Sequence, residues 1–531
     1  MTESYLDILT ETIRNNWDQP ALTDFYLSED GTAQDTSRGN HYTYGEMYVE
    51  IVRVADLLTN LGLQKGDHIA ICGANSAHWV IAYLAIAKTQ GVSVTVMHSL
   101  QSDQIAQMVD FSDARALFIN KELWAELQGQ SLPQVQNVIA LEGWEILRGE
   151  KVEIPNRKSL IDNQECGFPH SGPDSLAMIC FTSGTTNKLK GVMLPHRSLN
   201  NNVFNLIERY LDCSNNNYII FMPLAHMAAF VAEMWPQMLR GKHIYIYNGN
   251  QTVESICISI KVVQPYMMTE VPQIITTIGK QYGYSCLQDL KQLLVGCAVL
   301  DRVEERKMLD LNIPLILGYG QTEVGAAISM PNGDAHKESS VGRILSNIDV
   351  KIVHGEILVK GENVMLGYYK DPEATAKKID SDGWLHTGDK GHLDEDGYLY
   401  VEGRLEQDII VLPNGENIRP DNIESLINAL PEVSESIVLA RDGKLVAIVV
   451  PARSSSSSIS NASIVSSVSS LSSVSSASSS SSPSSPSALR HTILRTINPQ
   501  LPLFSQLYDV EITDKPLART DKQTLKRYLY N

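Results

Sequence analysis

The sequence predicts an α/β protein: a large N-terminal domain of several subdomains, its mostly parallel sheets flanked by helices, followed by a small α+β domain. Three observations predict it. Helical and β-branched apolar stretches alternate through residues 1 to about 170, and again from Ser175 to about Val401; repeated strand–helix units pack as parallel sheets with helices on both faces. From Gly397 the pattern changes to short strands around one helix. The chain has 531 residues, too many for a single core, so length alone suggests roughly two to four domains.

In chain order, Met1 to Trp17 carries Glu3, Asp7, Glu11 and Arg14 at helical spacing and lacks the basic start and apolar run of a signal peptide. Tyr42 to Leu61 has a helical apolar pattern, His68–Cys72 is a short apolar strand, Trp79 to Thr89 an apolar helix and Val92–Met97 a β-branched strand. Leu176–Thr182 and Ile313–Leu317 read as buried strands, each running into a polar, glycine-containing loop. In open α/β sheets ligands bind outside the carboxyl ends of strands, so these loops are the first candidates for a site. Further on, Tyr398–Val401, Ile409–Leu412, Ser436–Leu439 and Leu445–Val450 read as strands, with Asp421 to Ala429 as a helix among them. A domain boundary near Arg404 divides the chain into 1–403 and 404–531. Residues 454–487 are nearly all serine. They cannot bury enough apolar area to offset their ordering entropy and read as a disordered insert splitting the small domain.

Composition excludes several classes. With 61 acidic against 43 basic residues the net charge is −18, which disfavours nucleic acid and anionic lipid as partners while leaving room for a local nucleotide site. The seven cysteines include no C-x-x-C pair, so reduced, mostly buried thiols in a cytoplasmic protein are expected rather than a disulfide framework or zinc site. No apolar run is long enough to cross a bilayer; peripheral membrane contact stays open, as does oligomeric state.

Three loops carry chemistry. The first, Thr182-Ser183-Gly184-Thr185-Thr186-Asn187-Lys188-Leu189-Lys190-Gly191, has hydroxyls, amides and glycine that can approach phosphate oxygens, with Lys188 or Lys190 adding charge. It is not the P-loop pattern, and on its residues alone it is equally a surface turn. The second is Gly318-Tyr319-Gly320-Gln321-Thr322-Glu323. Tyr319 could stack on a flat base, Thr322 donate to a phosphate and Glu323 hold Mg²⁺, a hard cation that takes oxygen ligands beside substrate phosphates; a strand-to-helix turn starting at Thr322–Glu323 is the plain alternative. The third runs from Gly383 to Asp389, followed by an Asp396-Gly397 hairpin turn and by Gly403-Arg404. Asp389 could accept hydrogen bonds from ribose hydroxyls, and Arg404 add a second ribose or phosphate contact; two tight turns with capping carboxylates is the alternative.

Taken together and in this order, the loops resemble the adenylate-forming (AMP-binding) superfamily of acyl-CoA synthetases, firefly-type luciferases and peptide-synthetase adenylation domains. The resemblance extends to Leu63-Gln64-Lys65-Gly66-Asp67, Pro223-Leu224-Ala225-His226, Val271-Pro272, Gly296-Cys297-Ala298, Gly355 to Gly361, and most densely to Gly367-Tyr368-Tyr369 through Gly403-Arg404. It implies a small mobile C-terminal domain that rotates between two half-reactions. It also implies triphosphate binding by Thr182, Ser183, Gly184, Thr185, Thr186 and Lys190, and an adenine and α-phosphate site at Tyr319, Gly320, Gln321 and Thr322. Ribose contacts would come from Asp389 and Arg404, and Mg²⁺ would sit at Glu323. The substrates implied are ATP, a small carboxylic acid and coenzyme A. Ile409 to Ile418 and Leu529-Tyr530 look most like medium- and long-chain fatty acyl-CoA synthetases. Within Val203 to Leu239, His226 and Phe230 are candidate acyl-pocket residues, although apolar residues at this spacing also read as core.

Two departures stand out. Asn187 and Leu189 replace the glycine and proline usual in the family's first loop. Nearer the C-terminus, where the family carries a lysine used in adenylation, this chain has Thr524 after Gln523. Lys522, or Lys526 in a shifted register, is the candidate replacement. The hinge residue is either Glu406 or Asp408. A carrier-protein acceptor, an aryl acid, or a binding protein with impaired adenylation are the competing readings.

Overall fold

The computed structural model describes residues 4–28, 33–35, 37–153, 166–182, 189–210, 217–333, 336–404, 410–411, 417–418, 420–441, 444–452, 485–501, 505–519, 525 and 529–530. Ser183, Gly184, Thr185, Thr186, Asn187, Lys188, Glu406, Asp408, Lys522, Thr524, Lys526 and most of the serine tract lie outside them. The chain forms two compact units, Met1–Gly403 and Arg404–Asn531.

The first unit is built on an eight-stranded sheet in the order Gly367–Tyr368, Lys190–Pro195, Leu176–Thr182, Val92–Val96, His68–Cys72, Ala116–Ile119, Asn137–Ala140, Ile146–Arg148. Its centre is parallel, from Leu176–Thr182 to Asn137–Ala140. Its edges are antiparallel. The central strands are covered on both faces, hence their continuous apolar sequences. The helix Ala77–Lys88 is buried along nearly its whole length, from Ala77 to Ala87. It is therefore apolar all round, and starts where the Ser76 hydroxyl accepts from the Trp79 N–H. Helix Tyr44–Asn60 starts at a reciprocal capping box between Thr43 and Glu46.

A second sheet orders Asn217–Ile220, His243–Tyr247, Pro20–Phe25 and His41–Thr43, and a third, parallel one orders Met267–Glu270, Gln292–Val295 and Leu315–Leu317. The last strand begins later than its apolar run, because Pro314 has no N–H to give to a ladder. From Ile348 the expected strand–helix rhythm gives way to an antiparallel sheet, Ile348–Val353, Glu356–Gly361, Leu385–Leu393 and Leu399–Arg404. Glycine turns rather than helices make its tight connections, with Gly355 at φ 83° and Gly397 at φ 80°.

The thiol expectation needs correction. Cys257, on helix Val253–Val263, and Cys286, on the turn Ser285–Asp289, form a disulfide across a sequence separation of 29. The two elements share one apolar cluster, so tertiary packing pairs cysteines that no local spacing would connect. Cys72, Cys166 and Cys180 are buried free thiols and Cys297 is exposed.

The second unit packs helices Pro420–Asn428 and Pro486–Ile497 on a sheet of Val433–Arg441, Lys444–Pro451 and Asp509–Ile512. Its core includes Ile423, Ile427, Val438, Val449, Leu489 and Ile493. Helix Pro486–Ile497 takes in Pro486 and Ser487, which the sequence pattern assigned to the serine tract. Ser485 is its cap, accepting from the Ala488 N–H at 3.2 Å. Among the described residues no helix is long and apolar enough to cross a membrane.

Candidate active site

The first loop connects two antiparallel strands, with Thr182 opposite Lys190, and follows the carboxyl end of a central strand. Only its flanks are described. The strand returning from it pairs with Gly367–Tyr368, and the Tyr369 N–H donates to the Gly191 carbonyl at 2.7 Å. This pairing brings the Lys190 ammonium over the Tyr368 ring, 5.1 Å from its centroid. The Tyr368 hydroxyl in turn donates to Glu323 Oε1 at 2.8 Å.

Glu323 stands in a single 3₁₀ turn, Thr322–Val324, that ends at Gly325 with φ 74°. No longer helix follows, so the predicted strand-to-helix turn is a one-turn feature. Asn202 explains how so short a turn is held. Its amide donates to the Val324 carbonyl at 2.8 Å and its oxygen accepts from the Ala327 N–H at 2.8 Å. Asn202 is fully buried on helix His196–Arg209, where a polar side chain is stable only because it is paired. Thr322 is buried within the turn. Gly320 is obligatory for a different reason: a Cβ there would lie 1.7 Å from the Ala326 carbonyl oxygen.

The third segment is not a loop. Leu385–Leu393 is a strand that buries Leu385, Thr387, Asp389 and Gly391 in alternation. The period-2 signal was masked in the sequence because the inward positions include Thr387, Asp389 and Gly391 rather than apolar side chains. Its pairing with Glu356–Gly361 is interrupted by a bulge, with Gly388 at φ 75° and its N–H on Glu356 Oε1 at 2.9 Å. The bulge turns Asp389 towards the second loop. Asp389 Oδ2 accepts from the Tyr319 hydroxyl at 2.7 Å and from Gln321 Nε2 at 2.5 Å. Gln321 Nε2 also donates to the Thr387 carbonyl at 2.9 Å. Lys378, the last residue of helix Pro372–Lys378, donates to the Thr387 carbonyl at 3.0 Å and lies 3.4 Å from Gln321 Oε1.

Tyr319, Gln321 and Asp389 are thus brought into one network, and Lys190 and Glu323 into a second that meets it through the same loop. The side chain of Arg404 lies outside the described residues. Tyr368, Lys378 and Asn202 were not singled out from the sequence. Tyr368 and Lys378 lie within the densest stretch of the resemblance; Asn202 carries no local signal.

His226 and Phe230 part company. His226 is half-buried, and its Nδ1 accepts from the Ala228 N–H at 3.2 Å. Phe230 lies in a π-helical stretch, Ala228–Met234, and is fully buried. Its ring meets Tyr83 at 4.5 Å, Trp79 at 5.7 Å and Trp235 at 6.0 Å, so in this conformation it is core. The same stretch carries Glu233, whose Oε2 has no hydrogen-bond partner among the described residues. Burial, then the charge of Glu270, holds its carboxyl well above the ordinary carboxylate range. Burial also pushes Glu270 up to about 7, against the Val271 N–H and Gln251, which favour its charged form.

A magnesium ion is commonly held by one or two carboxylates together with substrate phosphates. Glu323, oriented by Tyr368 beside Lys190, fits that role. No cluster of three or more metal-binding side chains occurs among the described residues.

Residues 9–369 match the model of the AMP-binding enzyme family, and residues 407–530 that of the AMP-binding enzyme C-terminal domain. An octahydroindenyl-propanoyl:CoA ligase of Rhodococcus jostii (strain RHA1) is 29% identical over 75% of this chain and 80% of its own. The 4-coumarate–CoA ligase 3 of Arabidopsis thaliana is 27% identical over 78% of this chain and 77% of its own. Among solved structures, the O-succinylbenzoate coenzyme A synthetase of Bacillus subtilis, in complex with ATP and magnesium ion, superimposes with a TM-score of 0.75. It is 22% identical, over 98% of each chain.

Proposed function

The chain belongs to the AMP-binding enzyme family, and from that premise we propose that it activates an apolar carboxylic acid as its acyl-adenylate and transfers the acyl group to coenzyme A. It is an acid–thiol ligase, with ATP and coenzyme A as cosubstrates and Mg²⁺ as cofactor. The observation that carries the nucleotide assignment is the convergence of Tyr319 and Gln321 on one oxygen of Asp389. Asp389 is buried where these two donors meet, and its carboxylate is the group assigned to the ribose.

A carboxylate is a poor acyl donor because its leaving group is poor. In the proposed reaction its oxygen attacks the α-phosphorus of ATP, the bond to pyrophosphate breaks, and acyl-AMP results. The thiol of coenzyme A then attacks the acyl carbon and AMP departs. Catalysis is mostly positioning and neutralisation of charge on phosphate oxygens. Asp389 holds the ribose, the Tyr319 ring backs the adenine, the Thr322 hydroxyl donates to the α-phosphate, and Lys190 supplies positive charge near the triphosphate. Mg²⁺ held by Glu323 would supply further neutralisation of phosphate charge.

The acid is the finer question. Fatty acids come first, from the resemblance of Ile409–Ile418 and of Leu529-Tyr530 to that branch. Ring-bearing acids are the second reading, favoured by the names of the relatives. Acid-dependent exchange of pyrophosphate into ATP decides between them, run with Mg²⁺ and a panel of medium- and long-chain fatty acids, hydroxycinnamic acids and benzoic acids. Product analysis with coenzyme A against a pantetheinylated carrier protein identifies the acceptor. Exchange with no acid in the panel would overturn the ligase assignment and revive the binding-only reading that Thr524 motivates.

A further inference from the structure

We infer that Lys378 is a positioning residue for the nucleotide: its ammonium fixes the amide orientation of Gln321 and so holds Asp389 in the geometry that selects a ribose bearing both hydroxyls. The inference rests on the nucleotide site proposed above and adds to it a residue that the loops themselves do not contain.

Gln321 is buried, and a buried primary amide can be placed in two orientations related by a flip, which only its partners decide between. On one side of Gln321 are two acceptors, the Thr387 carbonyl at 2.9 Å and Asp389 Oδ2 at 2.5 Å. On the other is a donor, the Lys378 ammonium at 3.4 Å. With Nε2 towards the acceptors every contact is favourable. Flipped, the amide oxygen would face a carboxylate and a carbonyl, and the NH₂ would face an ammonium. Lys378 therefore reinforces, from the oxygen side, an orientation that the two acceptors favour from the nitrogen side.

Its position is itself fixed, because the ammonium also donates to the Thr387 carbonyl at 3.0 Å. That carbonyl takes Lys378 and Gln321 together, just before the bulge that presents Asp389. The lysine ends helix Pro372–Lys378, where a cation is also favoured by the helix dipole. A path of direct contacts thus runs from a surface helix through Gln321 to the carboxylate. Lys377, next to it, is exposed and provides a control of the same charge on the same helix.

The test is calorimetric titration of the full chain with Mg²⁺ and ATP, 2′-deoxy-ATP or 3′-deoxy-ATP, so it needs no knowledge of the acid. Lys378→Met is expected to weaken ATP about tenfold, the size of one lost net hydrogen bond at the site, and to weaken the deoxy analogues much less. The preference for ribose hydroxyls collapses while the thermal midpoint stays near wild type. Lys378→Arg restores most of the preference and Lys377→Met behaves as wild type. The inference is overturned if Lys378→Met keeps the wild-type preference, or if it weakens ATP and both deoxy analogues equally, which is what a merely structural lysine would do. Asp389→Asn in the same titration separates the two layers. If it abolishes the preference and Lys378→Met does not, the lysine alone is wrong; if neither changes it, the ribose assignment falls and the lysine with it.

Discussion

Replacing Asp389 by asparagine changes one atom's chemistry at the centre of the candidate site. Both observed donors, the Tyr319 hydroxyl and Gln321 Nε2, point at the same oxygen, Oδ2. Gln321 Nε2 can only donate, so the asparagine oxygen must take the Oδ2 place and its NH₂ the place of Oδ1. The two internal bonds survive, but as neutral rather than charge-assisted ones, roughly halved in strength. The fold is kept and the stability loss is modest, since each weakens by about 1 kcal/mol. The Oδ1 position changes sign: the acceptor assigned to a ribose hydroxyl becomes a donor. Losing that charge-assisted bond costs about 2–3 kcal/mol, or roughly a 30- to 150-fold rise in Kd for ATP. Adenine alone should bind both proteins equally, because it never reaches this oxygen. Calorimetry with ATP and adenine on wild type and Asp389→Asn measures both terms. ATP affinity within about threefold of wild type, well below the cost of a lost charged hydrogen bond, would refute the ribose role in a protein that remains folded by circular dichroism.

Three other outcomes follow from the same geometry. Tyr368→Phe removes the hydroxyl that orients Glu323; the Mg²⁺ concentration needed for half-maximal ATP binding should rise about tenfold, the usual scale for a group that orients a metal ligand, as read by titrating Mg²⁺ at fixed ATP. Gly320→Ala forces a Cβ against the Ala326 carbonyl, a backbone contact that no rotamer relieves, so nucleotide binding should be lost at a cost above the ~1–3 kcal/mol typical of overpacking, while the far-ultraviolet spectrum persists. Glu270, held at about 7 by burial against an ordinary 4.5, keeps a proton in the folded state that the unfolded chain releases between those values. Its contribution to stability is therefore present below pH 4.5 and lost as pH rises through 7, a change of about 3 kcal/mol. Glu270→Gln should thus gain on wild type in calorimetric midpoint between pH 5 and pH 8, and parallel pH curves for the two proteins would contradict the assignment. The comparison must be made as a difference, because His196 and His243, both lowered to about 4 by burial, act in the opposite direction: they stabilise above pH 6.5 and lose that contribution as pH falls towards 4.

Much of the fold was legible because its elements are strongly patterned. His68–Cys72 and Leu176–Thr182 begin and end where their apolar runs do, since central parallel strands are buried on both faces and read as uninterrupted hydrophobic sequence. The antiparallel sheet from Ile348 was not legible as such. Its strand Leu385–Leu393 turns Thr387, Asp389 and Gly391 inward, so functional and small residues occupy the positions that would have shown the alternation. The Cys257–Cys286 bond was invisible for another reason: pairing across 29 residues is a statement about how a helix and a turn pack, not about spacing.

The site divides along the same line. Tyr319, Gln321, Glu323 and Asp389 announce themselves because they sit in glycine-rich segments whose order is informative. What holds them does not. Asn202 lies mid-helix, where asparagine usually reads as a solvated or poorly placed residue, and here it is buried because the backbone of the Thr322–Val324 turn needs both faces of an amide. Lys378 is a helix-terminal lysine, ordinarily no more than a favourable dipole partner. It becomes informative only when Gln321 is seen to present its oxygen to it. A polar side chain facing the ligand must match a chemistry, and that restricts its type and its neighbours in sequence. A side chain that braces it must match only a direction and a charge, which any element brought near by the fold can supply. Positioning residues are therefore the part of such a site that a single sequence conceals, and the amide of Gln321, with acceptors on one side and a cation on the other, is where this chain reveals one.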